Sequence, residues 1–343
     1  MLPVLKIGQR IEGNLGAYII SNQLHKYIWS ATGPNADKFI IKLAPKHLLD
    51  NERNVLRHFR GRLGIRQLLD EIQEPQALVL KHLDDNLLSV SHSKILKKSD
   101  IKLVAKKILE VLQAFHDDGY VHTGRIVDIK PDNILVDYHN EGPSQFREIE
   151  LGDCGDVWRV DPKDHLKVGE HGHGIGAAMF RSLEAMLNLR WGAPTDIWFF
   201  GTTVRLNPYL TIVHCFSPSS LLLILPLTQL ISLIWGLGWH IFKPDPKDAK
   251  PDDAIYPMHV LIKQTSFFGP FPLSYTSLIA DEDEERWSIL GYATNYVQEN
   301  KKWKPFSLAQ DKELSGEDRR FICRIMKLDP RDRPTAKELL QDA

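Results

Sequence analysis

The chain has 343 residues, of which 43% are hydrophobic and 25% are charged, which is typical of a globular protein with one large core or two lobes. Its 43 basic and 44 acidic residues nearly cancel, so no global charge draws the chain to nucleic acid or to an anionic membrane. The three cysteines share no close spacing, which argues against a disulfide framework or a zinc site and favours a reducing compartment.

The N-terminal part reads as short strands around one helix. Four segments are rich in β-branched and aromatic residues and are separated by Asn, Gly and Pro: 17–24, 26–32, 38–44 and 76–83. Residues 47–61 have helical periodicity, and Glu52 falls inside the apolar stripe, between Leu48 and Leu56. The sequence therefore predicts a small, mostly β lobe that contains one helix with an inward-facing carboxylate.

From Ser99 onward the pattern becomes helical. Residues 99–119 predict a core-facing helix with Ser99 as its N-cap and Gly119 beyond its end. Its predicted core positions are Ile101, Val104, Ala105, Ile108, Leu112 and Phe115. Helical pattern also occurs around 196–204, 229–235 and 316–343, and residues 245–254 read as a polar loop. The second lobe is therefore predicted to be mainly α-helical.

Three polar residues carry a possible chemistry. Asp128 and Asn133 flank the segment IKPD, and Asp153 follows a hydrophobic run and precedes Gly155 by two positions. Each alone is more typical of a turn or a helix cap. Together they match the needs of phosphoryl transfer, which uses carboxylate and amide oxygens for magnesium, a base at the acceptor hydroxyl and a lysine at the phosphates.

Several segments of the chain resemble a eukaryotic protein kinase of the Ser/Thr type. DIKPDNIL at 128–135 is similar to the catalytic loop, and DCG at 153–155 stands where DFG normally does. Three later segments resemble the APE region, the central helix of the large lobe and the terminal arginine motif: FRSLEAM at 180–186, DIWFFG at 196–201 and LDPRDRPTAKELL at 328–340.

The resemblance implies an α+β, bilobal kinase-like fold, with a β-rich N-lobe over 1–83 and a larger, mainly α C-lobe over 84–343. Finer features are most similar to the group that contains the cyclin-dependent, MAP, Clk-type and SR-protein kinases. These features are His122-Thr123 ahead of DIKP, an arginine ahead of S-x-E in FRSLEAM, and FFGPFP at 267–272.

The same resemblance assigns roles at a site for ATP and Mg²⁺. Asp128 is expected to act as the base at the substrate hydroxyl, and Lys130 to steady the transferred phosphate. Asn133 and Asp153 are expected to hold the magnesium ions. Lys42 takes the place of the phosphate-contacting lysine. Glu52 supports this role, because a carboxylate on an apolar helix face needs a charged partner, and the resemblance implies that Lys42 is this partner.

The segment 78–88 resembles the hinge between the lobes. Leu80 would be the gatekeeper beside adenine, and backbone groups of Lys81 and Leu83 would bind its edge. The resemblance further implies a buried ion pair between Glu184 and Arg333 that joins the APE region to the last helices.

Two features near the site depart from the family pattern. The phosphate-covering loop should lie within 21–31, where no glycine occurs, and Gly13 and Gly16 come too early in the chain. In addition, GRIV at 124–127 separates His122 from Asp128 by six positions, where the family has two. Either His122 keeps its anchoring place and the loop bulges, or Ile126 and Val127 occupy the places of the His and the next residue.

A second interruption spans residues 204–229. The stretch 206–242 contains no Asp, Glu, Lys or Arg, and 221–242 is about the length of a membrane span. A transmembrane reading competes with an insertion, since 196–203 and 230–236 read as two halves of one buried helix. We favour an insertion from an unspliced intron, and the GRIV segment could come from a shifted splice site.

The sequence thus predicts a Ser/Thr protein kinase that acts on protein substrates, with no nucleic-acid partner. Two alternatives stay open at this stage. One is a pseudokinase or splicing-defective isoform that binds or regulates without catalysis, and the other is a membrane-attached regulator. The N-terminus shows no signal peptide, and we expect a cytoplasmic and/or nuclear location.

Overall fold

The structure is a computed structural model that describes residues 3–94, 96–122, 131–138, 144–163, 166–167, 172, 175–176, 178–203, 241–309 and 315–341. Its N-terminal part is a six-stranded antiparallel sheet with the strand order β1-β2-β3-β4-β6-β5. The strands are β1 (Arg10–Glu12), β2 (Ala17–His25), β3 (Ile28–Thr32), β4 (Lys38–Lys42), β5 (Leu68–Gln73) and β6 (Gln76–Lys81). Four of them correspond to the predicted strands, and β1 and β5 were not predicted.

Helix α1 (Lys46–His58) follows β4 and packs beside this sheet. Its inward face buries Leu49, Val55 and Leu56, and the carboxylate residue Glu52 is only 1% exposed. The predicted helix with a buried carboxylate is therefore confirmed, although it ends at His58, three residues earlier than expected. Burial of a charge at this position requires a counter-charge nearby.

Small sheets connect the first lobe to the helical part. Strand β7 (Asp85–Asn86) pairs with β9 (Ile134–Tyr138), which pairs in turn with β10 (Phe146–Leu151). Strand β8 (Tyr120–Val121) pairs with β11 (Trp158–Arg159). The β9–β10 hairpin matters most for function, because it brings the residue before β9 and the residues after β10 to the same edge.

The remainder of the described chain is mainly helical. The helices are α2 (Leu87–Ser93), α3 (Lys98–Asp117), α4 (Leu183–Met186), α5 (Ala193–Thr203), α6 (Tyr256–Phe268), α7 (Glu284–Glu299), α8 (Gly316–Ile325) and α9 (Ala336–Gln341). This arrangement confirms the α+β fold class. The predicted polar loop at 245–254 contains only turns.

Helix α3 buries all six predicted core positions. The prediction of Ser99 as its N-cap is wrong, since the helix begins at Lys98 and its N-cap is Lys97. Acidic Asp100 lies in the first turn, where the helix dipole favours a negative charge. Gly119 follows the C-terminal end with φ +74°, the left-handed conformation that glycine adopts without strain.

Helix α5 forms the centre of the helical core. Trp198, Phe199 and Phe200 are completely buried, and the Trp198 ring stacks on Phe242 with ring centroids 5.9 Å apart. The predicted helix at 229–235 and the interruption at 204–229 lie outside the described residues. Within the described ranges, no helix has the length and apolar character needed to cross a membrane.

The predicted ion pair between Glu184 and Arg333 is confirmed. Arg333 donates from Nη1 to Glu184 Oε1 at 2.6 Å and from Nη2 to Oε2 at 2.8 Å, and both side chains are 1% exposed or less. Thr195 Oγ1 donates a further bond to Oε1 at 2.7 Å. Burial disfavours the charged carboxylate, but the guanidinium outweighs burial and lowers the pKa of Glu184.

Replacing Arg333 by methionine is expected to lower the free energy of unfolding by about 3–5 kcal/mol at pH 7, because it leaves a buried carboxylate without its counter-charge. Urea titration measures this loss, and Arg320→Met on the exposed face of α8 serves as the control. The pKa of Glu184 is lowered in the folded state, so its stabilisation is complete above the usual glutamate value of about 4.3 and is lost as the pH falls further. A difference between wild type and variant that stays constant down to low pH would contradict this assignment.

Candidate active site

The side chain of Lys42 joins the two lobes. Lys42 is the last residue of β4, and its Nζ lies 2.7 Å from Glu52 Oε2 on α1 and 2.6 Å from Asp153 Oδ1 beyond β10. The predicted pairing of Lys42 with Glu52 is therefore confirmed. Lys42 and Glu52 are 13% and 1% exposed, whereas Asp153 is 34% exposed and faces the more open side of the network.

The electrostatics of this network keep Lys42 charged. Burial acts to lower its pKa, but the charges of Glu52 and Asp153 outweigh burial and raise it above the usual lysine value. A lysine held charged in a site that excludes most water can stabilise negative charge more strongly than an exposed one. This is the property that a phosphate-contacting lysine requires.

A second set of bonds fixes helix α1 against the DCG segment. Asn51 Nδ2 donates to the carbonyl oxygens of Gly155 at 2.9 Å and Val157 at 2.8 Å. Cys154, which stands where the resemblance places phenylalanine, is completely buried, and burial raises the pKa of its thiol. Glu52 and Asp153 therefore sit on two segments that hold each other in place.

Asn133 and Asp153 are the predicted metal ligands, and the β9–β10 hairpin positions both. The Gly152 amide donates to the Asn133 carbonyl at 2.8 Å, which places the two residues at one edge of the hairpin. Asp153 adopts the left-handed conformation with φ +58°, an uncommon one for a non-glycine residue that often marks a functional constraint.

The residues at this edge suit Mg²⁺, which takes only some of its ligands from protein, better than they suit a metal whose ligands all come from protein. In the described part of the chain, no group of three or more His, Cys, Asp or Glu side chains could hold a metal ion. Mg²⁺ commonly takes only one or two carboxylates from protein and completes its shell with phosphate oxygens and water. One carboxylate at Asp153 and one amide at Asn133 are consistent with that pattern.

The hinge residues lie at the end of β6. Leu80 is 1% exposed and pairs with Ile40, while Leu83 is 7% exposed. Lys81 donates its backbone amide to the carbonyl of Gln67 at 3.2 Å and accepts at its own carbonyl from Arg66 Nη2 at 3.0 Å. Its backbone groups thus have partners within the chain, and the predicted contacts to adenine remain a prediction.

Arg66 is a component of the site that the sequence did not indicate. Burial lowers the pKa of its guanidinium, which is partly opposed by the nearby carboxylates of Glu52 and Glu150. It places a second cation behind the Lys42 network and connects that region to the hinge carbonyl. No sequence pattern signalled this role, because arginine is usually exposed and the contact to the Lys81 carbonyl depends on the fold.

The start of the catalytic loop is firmly anchored. His122 is completely buried, its amide donates to Asp196 Oδ2 at 2.8 Å, and its Nε2 lies 3.2 Å from the carbonyl oxygen of Gly152. Since a carbonyl only accepts, Nε2 carries the proton, and burial lowers the pKa of the ring. Of the two open interpretations of the GRIV segment, the structure supports the one in which His122 keeps its anchoring place.

The far end of the same loop is also fixed, because Asn133 is tied to Gly152 and is followed directly by β9. Gly152 therefore contacts both ends of the loop. Residues 123–130 lie outside the described residues, and with them the predicted catalytic residues Asp128 and Lys130. The GRIV residues must be accommodated between two anchored ends.

The loop expected to cover phosphates corresponds to the turn between β2 and β3. Lys26 and Tyr27 form this turn, and the Leu43 amide, next to Lys42, donates to the Tyr27 carbonyl at 2.9 Å. Gly13 and Gly16 instead form the preceding turn, where Gly13 donates to Gly16 at 2.8 Å. The turn at the position of the phosphate-covering loop therefore contains no glycine. It is hydrogen-bonded to Leu43, the residue that follows Lys42.

The comparisons with known proteins agree with this geometry. The family model described as protein kinase domain matches residues 36–209, just over half of the chain. The chain is similar to serine/threonine-protein kinase PKH2 of Candida albicans, with 25% identity over 176 residues that cover 49% of the chain and 17% of the relative. It is also similar to human dual specificity tyrosine-phosphorylation-regulated kinase 3, with 30% identity over 124 residues, 34% of the chain and 18% of the relative. The chain thus spans less than a fifth of the length of these relatives.

The Glu150 carboxyl beside the hinge makes the stability of the folded chain depend on pH. Glu150 is 2% exposed, and burial raises its pKa to about 7 although Lys81 lies 3.3 Å away. A raised folded-state pKa means that the free energy of unfolding decreases as the pH rises from the usual glutamate value of about 4.3 through 7.

We expect Glu150→Gln to remove part of the stability loss between pH 5 and pH 8, because glutamine does not ionise. Urea titration at both pH values measures the loss, and Glu299→Gln on the exposed end of α7 should retain it in full. Equal losses in the wild type and Glu150→Gln would show that Glu150 is already ionised at pH 5.

Proposed function

The chain belongs to the protein kinase domain family, and we propose that it transfers the γ-phosphoryl group of ATP to serine or threonine hydroxyls of protein substrates. The observation that carries this proposal is the Lys42 network, in which one lysine contacts Glu52 and Asp153 across the two lobes. Phosphoryl transfer depends mainly on positioning and electrostatic stabilisation, and a charged, oriented lysine supplies both.

Within this proposal, each residue has one task. Lys42 neutralises phosphate charge, and Glu52 fixes its direction from a completely buried position. Asn133 and Asp153 would hold Mg²⁺, which supplies neutralisation of the charge on the phosphates. Asp128 orients and deprotonates the acceptor hydroxyl, and Lys130 steadies the transferred group; both roles rest on the resemblance of DIKPDNIL to the catalytic loop.

The hinge and lobe assignments extend the proposal. Leu80 would contact adenine, with the backbones of Lys81 and Leu83 at its edge, between an N-lobe ending at residue 83 and a C-lobe beginning at residue 84. The preference for serine or threonine rests on KPDN at 130–133 and on the similarity to the fungal serine/threonine-protein kinase. We also propose a cytoplasmic and/or nuclear location, because the cysteine pattern favours a reducing compartment.

A binding or regulatory protein without catalysis is the second candidate. Two observations favour it: the β2–β3 turn contains no glycine, and the GRIV residues lengthen a loop that is anchored at both ends by Gly152. A displaced Asp128 would allow nucleotide binding through Lys42 without phosphoryl transfer. Binding of ATP in a chain that transfers no phosphate would identify this case.

Lys42→Met is expected to reduce transfer of labelled phosphate from Mg-ATP to a generic basic protein by about a hundredfold or more, because it removes the charge that faces the phosphates. Lys38→Met is the matched control, since Lys38 is exposed at the other end of the same strand, β4. Asp128→Asn should abolish the residual activity. Full activity in Lys42→Met would refute the proposed role of the network.

Deleting residues 124–127 is expected to raise the transfer rate, by up to about a hundredfold if the longer loop displaces Asp128 by about 1 Å. Deleting 204–229, separately and together with 124–127, tests the second interruption in the same assay. Every deleted chain needs an Asp128→Asn counterpart, which must be inactive if the gain comes from the active site. Equal, Asp128-dependent transfer with and without the deletions would mean that the fold absorbs the insertions. The absence of transfer in every folded chain, deleted or not, would favour the non-catalytic candidate.

A further inference from the structure

A small cavity on the helical lobe lies away from the Lys42 network. It is enclosed by the turns at 244–248, by the middle of α6 and by the segment 302–304, and has a volume of about 270 Å³. Its size is just below the range of about 300–1,000 Å³ that is typical of drug-sized ligand sites. The cavity therefore suits one small chemical group and not an extended molecule.

The charges that line this cavity are predominantly positive. Four lysines face it together with His259, against two aspartates: Lys247, Lys263, Lys302 and Lys304, with Asp245 and Asp248. This local excess contrasts with the whole chain, in which basic and acidic residues are nearly equal in number. The concentration of lysines at one concave site is thus a local feature of the fold.

The two aspartates are engaged by two of the lysines. Asp245 Oδ2 lies 3.4 Å from Lys247 Nζ, and Asp248 Oδ2 lies 3.6 Å from Lys302 Nζ. Asp245 also accepts the backbone amide of Lys247 at 3.1 Å, so its carboxylate closes the turn at 245–248. Two positive charges, on Lys263 and Lys304, are left over.

Lys263 and Lys304 form no ion pair with any residue in the described ranges of the chain. Lys263 is half-buried on α6, and burial together with the charges of Lys304 and Lys302 lowers the pKa of its ammonium group. Mutual repulsion among cations in one cavity costs stability unless an anion neutralises them. The arrangement is thus poised to gain from an anionic ligand.

The shape of the cavity is fixed by hydrogen bonds to the backbone of the segment 302–304. The Lys304 amide donates to the Ser266 carbonyl at 3.0 Å, and the Ser266 hydroxyl donates to the Lys302 carbonyl. The Lys302 amide donates to the Val297 carbonyl at 2.8 Å, after Lys301 turns the chain with φ +52°. Lys302 and Lys304 are therefore presented from a fixed segment toward Lys263 on α6, which reduces the ordering cost of ligand binding.

We propose that this lysine pocket, defined by Lys247, Lys263, Lys302 and Lys304 with His259, binds the phosphoryl group of a phosphorylated protein segment. A phosphoryl group carries about −1.5 to −2 charges at pH 7 and three strong acceptor oxygens, which matches the two lysines that lack carboxylate partners. Its size fits the cavity, and the rest of a polypeptide can remain outside because Lys247 is 82% exposed at the mouth.

The choice of a phosphorylated protein as the source rests on the proposed function, since phosphorylated protein is the product of a protein kinase. A pocket for the product would keep a partly phosphorylated substrate bound to the same chain as the active site. This consequence concerns partner retention and requires no chemistry at the pocket itself. Binding can therefore be tested without measuring phosphate transfer.

The experiment titrates the full chain, with ¹³C-labelled lysines, with a short phosphoserine peptide, its unphosphorylated form and inorganic phosphate. The side-chain signals of Lys247, Lys263, Lys302 and Lys304, assigned from single variants, report on the pocket separately from Lys42. We expect the phosphoserine peptide to shift these signals, and the double variant Lys263→Gln/Lys304→Gln to weaken binding by about tenfold or more. Lys301→Gln is the matched control, because Lys301 is exposed in the same segment but does not line the cavity.

In the double variant the remaining reporters are Lys247 and Lys302, which line the same cavity. Loss of the phosphopeptide shifts of Lys247 and Lys302 in the double variant, with retention in Lys301→Gln, supports the proposal. Shifts caused by the unphosphorylated peptide, or unchanged binding in the double variant, overturn it. Shifts from inorganic phosphate with none from the phosphopeptide would overturn the assignment to a protein-borne group. Because this readout is binding alone, an inactive chain with an intact pocket would contradict the proposed function and leave the lysine pocket standing.

Discussion

The buried lysine charge at the end of β4 is the interaction on which the active-site architecture depends. Lys42 can remain charged only because Glu52 and Asp153 lie within 2.7 Å of its ammonium group. This requirement fixes the position of α1 relative to the first sheet and of the DCG segment relative to both. The bonds from Asn51 to the DCG segment reinforce the same arrangement, so the site is held by charge and by hydrogen bonds.

The two ends of the predicted catalytic loop illustrate how a fold can preserve anchors around a lengthened segment. Asp196 on the central helix α5 accepts from the His122 amide, and Gly152 bonds to both His122 and Asn133. The His122 contacts are buried, so removing them would cost more than lengthening a loop. Stability and catalysis thus make different demands: the fold needs the anchored ends, whereas transfer needs the base between them at one precise position.

Electrostatics separate the architectural, catalytic and proposed binding parts of the molecule. The Glu184–Arg333 pair is fully buried and neutralised, and it joins α4 to the C-terminal motif. The Lys42 network is buried but opens toward Asp153, where a ligand could approach. The lysine pocket has more positive than negative charge and opens to solvent. A chain with an almost even charge balance therefore still provides positive charge at the two places where we propose that phosphate-bearing ligands bind.

The sequence by itself determined the α+β fold class, the helix with a buried carboxylate and the core positions of α3, because periodicity and buried charge leave a pattern along the chain. That Glu52 needs a charged partner followed in the same way, and the resemblance of the chain to a known family named Lys42 as that partner. The same resemblance also indicated the Glu184–Arg333 pair. Only the tertiary structure decided that His122 is the anchor of the catalytic loop, that Arg66 reaches the Lys81 carbonyl, and that Lys263 and Lys304 share one cavity. These contacts join residues far apart in the chain, and neither periodicity nor composition records which distant side chains the fold brings together.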